Sequence, residues 1–512
     1  MNYNDKLLLL AAFVSTFFVY LRIRSRRALP LPPGPKKLPV LGNLLDIPTS
    51  FEWITYARWS KDYNSDILHL RAAGNDIVLI NSFKVANDLF DKRSSVYSSR
   101  PKFTLLTELM GWGWLMSAMV YGEPWKERRR FFQKYFHPGN AALYQPGQME
   151  SVRKMMPRIL DAPEEFMSIT RNAVAGLALS IAYGIKVEET NDPYVNLAHE
   201  AGDSVTQASV PGAFLVDFIP ILKYVPEYIP GAGWKKKVKV WRQIQENFRE
   251  LPFRATLKDI ASGSARPSFT SNSLEKLEPG VDAAHQTEII KDTAGIVFAA
   301  GADTTLSAIQ SFFVAMLCFP EAQLKAQQEL DRVLKGRLPE FEDEQDLPYL
   351  SALVKEILRW QPATPIAVPH FASEDDIYDG YHIPKRAIVI GNAWAMLQDE
   401  NDYPDPSNFR PERFLKDGKL DPSVRDPAQI AFGFGRRICP GSHIATSVLW
   451  LTAASILSTF NISKAVDENG MPIEPNVEYK SGLICHPYPF KCSIKPRSKE
   501  AEALIRSAAD SY

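Results

Sequence analysis

The sequence feature that most restricts the fold is a glycine-rich decapeptide, FGFGRRICPG, at residues 432–441. Its glycines permit backbone turns that are closed to other residues, and they let the chain approach a flat, bulky group. Cys439 is followed by Pro440 and then by an apolar stretch of helical composition. Since proline is favoured at the first position of a helix, we expect Cys439 at the N-cap. Unpaired N–H groups and the helix dipole would stabilise a thiolate there.

A thiolate on such a loop is a good ligand for a metal ion, but a single cysteine leaves the ion short of ligands. The other cysteines (Cys318, Cys485 and Cys492) form no C-x-x-C pair, so neither zinc binding nor dithiol redox chemistry is indicated. They are also too few for a disulfide framework, which favours a reducing, cytosol-facing environment. Haem brings its own nitrogen ligands, and a thiolate on its iron favours O–O bond cleavage. We therefore predict haem ligated by Cys439.

The longest helical signal covers residues 285–319. It is apolar nearly all round, which predicts a buried helix roughly 50 Å long at about 1.5 Å per residue. An Asp-Thr-Thr triplet at residues 303–305 interrupts this apolar surface. Thr304 can hydrogen-bond back to a carbonyl and open the helix, while Gly301 would let the helix approach haem. We expect a small polar niche for oxygen and water inside an apolar cavity.

These segments together resemble the cytochrome P-450 family. Residues 432–441 match its F-x-x-G-x-R-x-C-x-G signature, and residues 300–305 match the oxygen-activation motif of its long central helix. Three shorter family motifs are also present: W-x-x-x-R at Trp125 and Arg129, E-x-x-R at Glu356 and Arg359, and P-E-R-F at residues 411–414. Each short motif alone is weak, whereas all of them in order beside the decapeptide are highly specific.

The resemblance covers the chain from its N-terminal apolar run to about Pro496. It implies a mainly α fold with a small β region, and one catalytic domain with haem between the central helix and the Cys439 loop. We place this domain at residues 51–512, behind a basic and Pro-rich linker at residues 25–50. The implied activity is that of a haem-thiolate monooxygenase, which inserts one oxygen atom from O₂ into a C–H or C=C bond.

The resemblance also implies roles for individual residues. Asp303 and Thr304 would be catalytic, delivering protons during oxygen activation. The metal ligand would be Cys439, and the haem-binding residues would be Cys439, Phe432, Gly435, Gly441, Arg437, Trp125, Arg129 and His370. Arg100 is a weaker candidate for the same role. Finally, Glu356, Arg359 and Arg413 would form a buried network that supports the cysteine loop without being catalytic.

The N-terminus carries an uncharged apolar run of about 15 residues, at positions 7–21. This is short for a membrane span, so a secretory signal peptide is the alternative. Arginines at positions 22, 24, 26 and 27 follow the run, and a small-residue cleavage site does not. Basic residues on that side favour its retention in the cytosol. We predict a single-pass anchor at residues 1–24 in the endoplasmic reticulum membrane, with the catalytic domain facing the cytosol.

The chain has no nucleotide-binding Gly-rich motif, so the family's electron supply implies a separate partner: a membrane-bound flavoprotein reductase that uses NADPH. A basic cluster follows Trp125 and consists of Lys126, Arg128, Arg129, Arg130 and Lys134. We expect it to help dock the reductase, with Arg436 contributing; an ordinary solvated face is the alternative. The formal net charge is zero, so nucleic acid is not an expected partner.

The sequence restricts the class of substrate less than it restricts the cofactor and the reaction type. We expect the cavity to be lined by residues 103–120, 210–230, Phe298, Ala299, Ala302, 364–368 and 481–485. These are mainly apolar, which favours a lipophilic small molecule. Residues 210–230 are apolar but broken by prolines, and they form either a lid at the membrane surface or a buried connection. The linker, the P-E-R-F spelling and the C-terminal segment are similar to fungal microsomal members of secondary metabolism, for which a terpenoid, polyketide or indole-type substrate would fit.

Two other functions are consistent with a cysteine-ligated haem. One is an isomerase or dehydratase that rearranges peroxides without O₂; the intact Asp303–Thr304 pair argues against it, because such chemistry does not require that proton relay. The other is a non-catalytic haem-binding protein, for which the sequence offers no positive indication.

Overall fold

A computed structural model of the chain describes residues 29–210, 212–475 and 477–508. The predicted anchor at residues 1–24, and with it the signal-peptide alternative, lies outside the described residues. The described part is mainly helical, as expected. Its α-helices are α1 (Glu52–Asp62), α2 (Phe83–Ala86), α3 (Ser94–Tyr97), α4 (Glu123–Phe136), α5 (Gln145–Asp161), α6 (Phe166–Tyr183), α7 (Pro193–Ala208), α8 (Trp234–Ser262), α9 (Phe269–Leu274), α10 (Ala283–Cys318), α11 (Pro320–Leu334), α12 (Pro348–Trp360), α13 (Ala393–Leu397), α14 (Ala428–Ala431), α15 (Ser442–Thr459) and α16 (Lys499–Ala508).

Within residues 29–508, as far as the structure describes them, the β structure is small and divided among four sheets. Its strands are β1 (Ile67–Ala72), β2 (Asn75–Ile80), β3 (His370–Phe371), β4 (Asp376–Tyr378), β5 (Tyr381–Ile383), β6 (Ile388–Gly391), β7 (Leu415–Lys416), β8 (Lys419–Leu420), β9 (Phe460–Lys464) and β10 (Cys492–Pro496). The largest sheet has the order β1-β2-β6-β3, in which β2 and β6 are parallel and the other pairs antiparallel. The remaining sheets are the antiparallel pairs β4–β5, β7–β8 and β9–β10.

The central helix α10 agrees with the sequence prediction to within two residues at each end. It begins where the Asp282 side chain accepts a hydrogen bond from the Ala284 N–H at 2.9 Å, and it ends just before Pro320, which starts α11. It packs along α6, with α4, α8, α12 and α15 also against it. Among the described helices, α10 alone is long and apolar enough to cross a membrane, and most of its apolar stretch is buried in the protein. It is the core helix around which the domain is built.

The described part of the predicted linker is attached to the body. The Pro33 carbonyl accepts a hydrogen bond from the His69 N–H of β1 at 2.8 Å, and the Pro30 carbonyl accepts one from the His382 N–H of β5 at 2.8 Å. Gly34 also lies so close to β1 that a Cβ there would be 2.4 Å from the His69 carbonyl oxygen. Residues 29–50 therefore run along the sheets and are not a free spacer.

The proline-broken segment at residues 212–230 lies on the surface, so the alternative of a buried connection is wrong. Its fixed points are the buried Val216 and Asp217, whose carboxylate accepts a hydrogen bond from the Leu105 N–H at 2.9 Å. Beyond them, Ile221 is 71% exposed and Tyr228 is 86% exposed. Apolar side chains on such a surface segment favour contact with a membrane or another apolar partner.

Candidate active site

The Cys439 loop is closed by a hydrogen bond that the Cys439 N–H donates to the Phe432 carbonyl at 2.8 Å. Helix α15 starts only at Ser442, with Gly441 as its N-cap. The prediction that Cys439 is the N-cap is therefore wrong by two residues. The loop hydrogen bond keeps Cys439 outside the helix, and this outweighs the preference of a proline for the first helical position.

The surroundings of the Cys439 sulfur shift the pKa of its thiol in opposite directions. Burial raises the pKa of the Cys439 thiol, whereas the Gly441 N–H and the charge of Arg129 lower it. The Arg129 guanidinium is held beside the loop by a hydrogen bond to the Ile438 carbonyl at 2.9 Å. Within the described residues, no group of three or more His, Cys, Asp and Glu side chains could hold a metal ion. A metal bound by Cys439 would thus bring other ligands with it, and its charge would fix the thiolate form.

Gly435 is required by the shape of the loop. Its φ is +53°, and a Cβ at this position would lie 2.2 Å from the Phe90 carbonyl oxygen. The neighbouring Phe434 ring is buried and packs against the rings of Phe83 and Phe90. The loop is thus seated directly on the backbone of the Asn87–Lys92 turn.

We expect Gly435→Ala to displace the cysteine loop. The methyl group would combine a left-handed backbone with an overlap against main-chain atoms, which costs more than the roughly 1 kcal/mol of the backbone term alone. Thermal unfolding should show a lower midpoint for this variant. Gly470→Ala is the matched control, because Gly470 has φ +78° with open space around it. If both substitutions lowered the unfolding midpoint equally, the close packing of Gly435 against the Phe90 backbone would be contradicted.

Arg437 is half-buried, and its guanidinium is held by three main-chain carbonyls. It donates to Ser98 at 2.6 Å, to Met116 at 3.1 Å and to Met119 at 2.7 Å. Its guanidinium lies 4.4 Å from the centre of the Trp125 ring. Burial lowers the pKa of Arg437 to about 10, so it remains a cation at neutral pH.

Arg100 and His370 complete this cluster. Arg100 is buried and donates to the carbonyls of Val368 at 2.6 Å and Ser117 at 3.0 Å, and its pKa is lowered by burial and by the charge of Arg437. The buried His370 donates from Nδ1 to the Tyr97 carbonyl at 2.7 Å. Burial and the charge of Arg100 hold the pKa of His370 well below its usual range, so its imidazole is neutral.

These residues form a cationic pocket without its own counter-charge. None of Arg100, Arg129 and Arg437 lies within 4.0 Å of a carboxylate in the described part of the chain. The indole N–H of Trp125 likewise has no hydrogen-bond partner among the described residues. Buried cations require a compensating anion. Two carboxylates on a flat ligand, such as the propionates of haem, fit this set of donors, and the individual haem-binding roles stay predictions.

One face of α10 is not covered by protein at the Asp-Thr-Thr triplet. Ala300 is exposed in the middle of this otherwise buried helix, with Val297 and Thr304 partly exposed at the helical spacing of one face. The Thr304 hydroxyl donates to the Ala300 carbonyl at 2.7 Å, the back-bond expected from the sequence. This hydroxyl is therefore positioned on the open face of α10.

Of the three α10 residues expected to line the cavity, Phe298 and Ala302 are wrong, whereas Ala299 is partly exposed. Phe298 is fully buried, with its ring stacked on Phe248 at 4.6 Å, and Ala302 is also buried. A Cβ on Gly301 would meet Ala178 of α6 at 3.5 Å, so this glycine allows close packing of α10 on α6. Helical periodicity in an all-apolar helix does not reveal which face is open.

Two of the predicted cavity walls meet beside α10. The Cys485 N–H donates to the Ala363 carbonyl at 2.8 Å, which joins the loop at residues 481–485 to the segment before His370. Gly482 of the same loop lies against α7, where a Cβ would be 2.7 Å from the Thr206 methyl group. In contrast, much of residues 103–120 is core: Leu105, Trp112 and others are buried.

Asp303 does not lie on the open face with Thr304. Its carboxylate Oδ1 is 2.9 Å from His486 Nε2, on the C-terminal loop, and the charge of Asp303 also acts on His199 of α7. Sequence analysis missed both histidines. They are remote in the chain from the Asp-Thr-Thr triplet, and a lone histidine carries no signal of its partner.

Two predicted groups remain: the Glu356 network, which the structure contains, and the basic cluster, which is only partly exposed to solvent. Glu356 contacts Arg359 and Arg413 in a buried network, as expected. Arg128 of the basic cluster instead turns inward and pairs with the buried Asp292 at 2.7 Å. The other members that face solvent are Lys126, Arg130 and Lys134, and each has a glutamate within 4.0 Å. The face is thus less positive than the sequence suggests.

Comparison with known proteins agrees with this site. The family model described as Cytochrome P-450 matches residues 32–494. The chain is 50% identical over 478 residues to the cytochrome P-450 monooxygenase ple1 of Rhodocybe pseudopiperita, covering 93% of this chain and 91% of that protein. It is 46% identical over 508 residues to cytochrome P-450 monooxygenase 98 of Postia placenta, covering 98% and 97%. It is 42% identical over 498 residues to the tryptamine 4-monooxygenase of Psilocybe cyanescens, covering 96% and 98%.

Proposed function

Because this chain belongs to the cytochrome P-450 family and is a monooxygenase of that family, we propose that it inserts one oxygen atom from O₂ into a lipophilic small molecule. The observation that carries the proposal is the partly buried cationic pocket beside the Cys439 loop. It has the donors for a flat dicarboxylate, and among the described residues no carboxylate pairs with its arginines. Hydroxylation and epoxidation both suit such a site.

The cofactor that fits the pocket is haem b. Bound through Cys439, haem supplies the iron at which O₂ is activated. The cationic residues and the Trp125 N–H would hold its propionates, and the glycines of the loop would let the backbone approach its face. The Thr304 hydroxyl, presented on the open face of α10, would orient water and pass protons there.

We expect the Thr304→Ala variant to bind haem normally but to couple NADPH consumption to product formation poorly. Without the hydroxyl, protons reach the oxygen site less efficiently, so product formed per NADPH consumed should fall by about tenfold or more, with hydrogen peroxide released instead. The measurement compares NADPH oxidation, product and peroxide at equal content of haem-loaded protein. Thr287→Ala is the matched control, since Thr287 makes the same back-bond to Ala283 at 2.7 Å but near the exposed start of α10. Unchanged coupling in Thr304→Ala would contradict the assigned role.

The substrate class is proposed from the apolar walls and from the relatives. The name of one relative records oxidation of tryptamine, an indole amine, by that protein. Fungal secondary metabolites of terpenoid, polyketide or indole type are therefore the first compounds to screen. In the presence of a reductase and ¹⁸O₂, a true substrate should yield product with one ¹⁸O atom. Products formed without O₂, or labelled only from water, would instead indicate the isomerase or dehydratase chemistry.

Partners and location form part of the same proposal. Electrons come from NADPH through a separate membrane-bound flavoprotein reductase, whose acidic face would meet Arg436 and the solvent-facing cations of α4. Residues 1–24 anchor the chain in the endoplasmic reticulum membrane, with the catalytic domain in the cytosol. The exposed Ile221, Tyr224 and Tyr228 support this arrangement, because they give the surface segment an apolar side suited to a membrane.

A further inference from the structure

The Asp303 carboxylate is held by a histidine that belongs to no motif. His486 lies on the C-terminal loop and bridges two side chains of α10: its Nε2 is 2.9 Å from Asp303 Oδ1, and its Nδ1 is 2.9 Å from Gln310 Oε1. Asp303 and Gln310 are seven residues apart, so they share one face of the helix. The imidazole therefore sits along that face, next to the open face that carries Thr304.

The bridge fixes the number of protons in the pair. Gln310 presents its carbonyl oxygen, which only accepts, so Nδ1 of His486 carries a proton. Nε2 then faces a carboxylate oxygen, and the 2.9 Å contact is favourable only if a further proton lies between them. If that proton leaves, the Nε2 lone pair faces the Asp303 carboxylate. The resulting repulsion favours the uptake of another proton by the pair.

Holding the loop in place does not require a histidine here. The adjacent Cys485 carbonyl already accepts a hydrogen bond from the Ser307 hydroxyl of α10. Tyr479, on the other side of the same loop, donates to the Ser311 hydroxyl at 3.1 Å. With two anchors of this kind beside it, the bridge through His486 adds a titratable group to a loop that is already attached.

The part of α7 that lies against Asp303 carries a histidine and an aspartate. His199 and Asp203 are partly exposed there, 3.8 Å apart, and the charge of Asp303 acts on His199. Gly202 lies between His199 and Asp203 in the sequence, and a Cβ at this position would be 3.3 Å from Asp303 Oδ2. The absence of a side chain at Gly202 thus leaves space between the Asp303 carboxylate and the backbone of α7, one turn from His199.

Other charged groups face this region. Arg171 of α6 and Lys480 of the C-terminal loop act on His199 together with Asp203 and Asp303. Burial, followed by the charge of Arg171, lowers the pKa of His199. A neutral imidazole between solvent and Asp303 can accept a proton on one nitrogen and release one from the other.

We propose that His486 is a positioning residue that shares one proton with Asp303, and that His199 replaces this proton from solvent through the opening at Gly202. In each cycle, a proton leaves Oδ1 of Asp303 toward the Thr304 side of α10, and a solvent proton restores the pair. The inference rests on the proposed monooxygenase function for the use of the proton, whereas the shared proton itself can be observed without turnover.

The first test observes the proton directly. The full chain, with ¹⁵N-labelled histidine and haem in the CO-bound ferrous state, is compared by NMR with Asp303→Asn, using His486→Gln to assign the resonances. In the wild type we expect protonated-type shifts for Nδ1 and a protonated or intermediate shift for Nε2 at neutral pH; Asp303→Asn should move Nε2 to the unprotonated range. An Nε2 that is unprotonated in the wild type and unaffected by Asp303→Asn overturns the proposal.

The second test measures the use of the proton. His486→Gln should reduce product per NADPH by about tenfold and increase the solvent deuterium isotope effect, with an unchanged CO-difference spectrum. His382→Gln is the matched control, because His382 forms a similar pair with Asp375 at 3.0 Å on the β4–β5 hairpin. Unchanged coupling and isotope effect in His486→Gln overturn the positioning role. If the wild type showed no O₂-dependent turnover, the proposed function would be wrong. The NMR experiment would still decide whether His486 and Asp303 share a proton.

Discussion

Glu356→Ala should strongly destabilise the haem domain. Glu356 is fully buried and accepts hydrogen bonds from Arg359 at 2.7 and 2.8 Å and from Arg413 at 3.1 Å. It also accepts one from the Arg410 N–H at 2.8 Å. Without this carboxylate, two buried guanidinium groups lose their only ion-pair partner among the described residues. Breaking a buried ion pair in this way costs about 3–5 kcal/mol.

A loss of that size is a large fraction of the roughly 5–15 kcal/mol that stabilises a typical domain. Arg359 and Arg413 also donate to the carbonyls of Leu397, Pro404 and Asn408, so the network joins α12 to the segment that leads to the Cys439 loop. We therefore expect little haem-loaded protein and a much lower midpoint of thermal unfolding.

Glu474→Ala is the control for the Glu356 variant. Glu474 makes an ion pair with Lys464 at 2.6 Å, but its side chain is 77% exposed. Exposed pairs contribute little to stability, so the control should unfold near the wild-type temperature. If Glu356→Ala unfolded as the control does, with normal haem content, the network would not be what supports the loop.

The sequence predicted those parts of the fold that depend on local signals. The central helix was placed to within two residues at each end, because Pro320 marks its C-terminal end and an apolar composition fills its length. The glycine-rich loop was recognised because Gly435 needs a left-handed backbone that few other residues adopt. The family resemblance also implied the Glu356 network, which the structure contains.

Other features depend on contacts that a single sequence does not contain. Whether Phe298 or Ala300 faces the cavity is decided by Phe248 and Ala178 on other helices. The start of α15 is decided by a hydrogen bond from Cys439 back to Phe432, against the local preference of Pro440. The partner of Asp303 is 183 residues away in the chain, so its identity required the fold (303 to 486).

The proposed function depends on ligation of haem by the Cys439 thiolate. The most direct measurement is a CO-difference spectrum of dithionite-reduced microsomes that express the full chain, beside Cys439→Ser and, as a control cysteine at the far end of α10, Cys318→Ser. We predict a strongly red-shifted Soret band in the wild type and in Cys318→Ser, and no such band in Cys439→Ser. A folded, haem-loaded wild type without the band, or a Cys439→Ser variant that retains it, would contradict the claim.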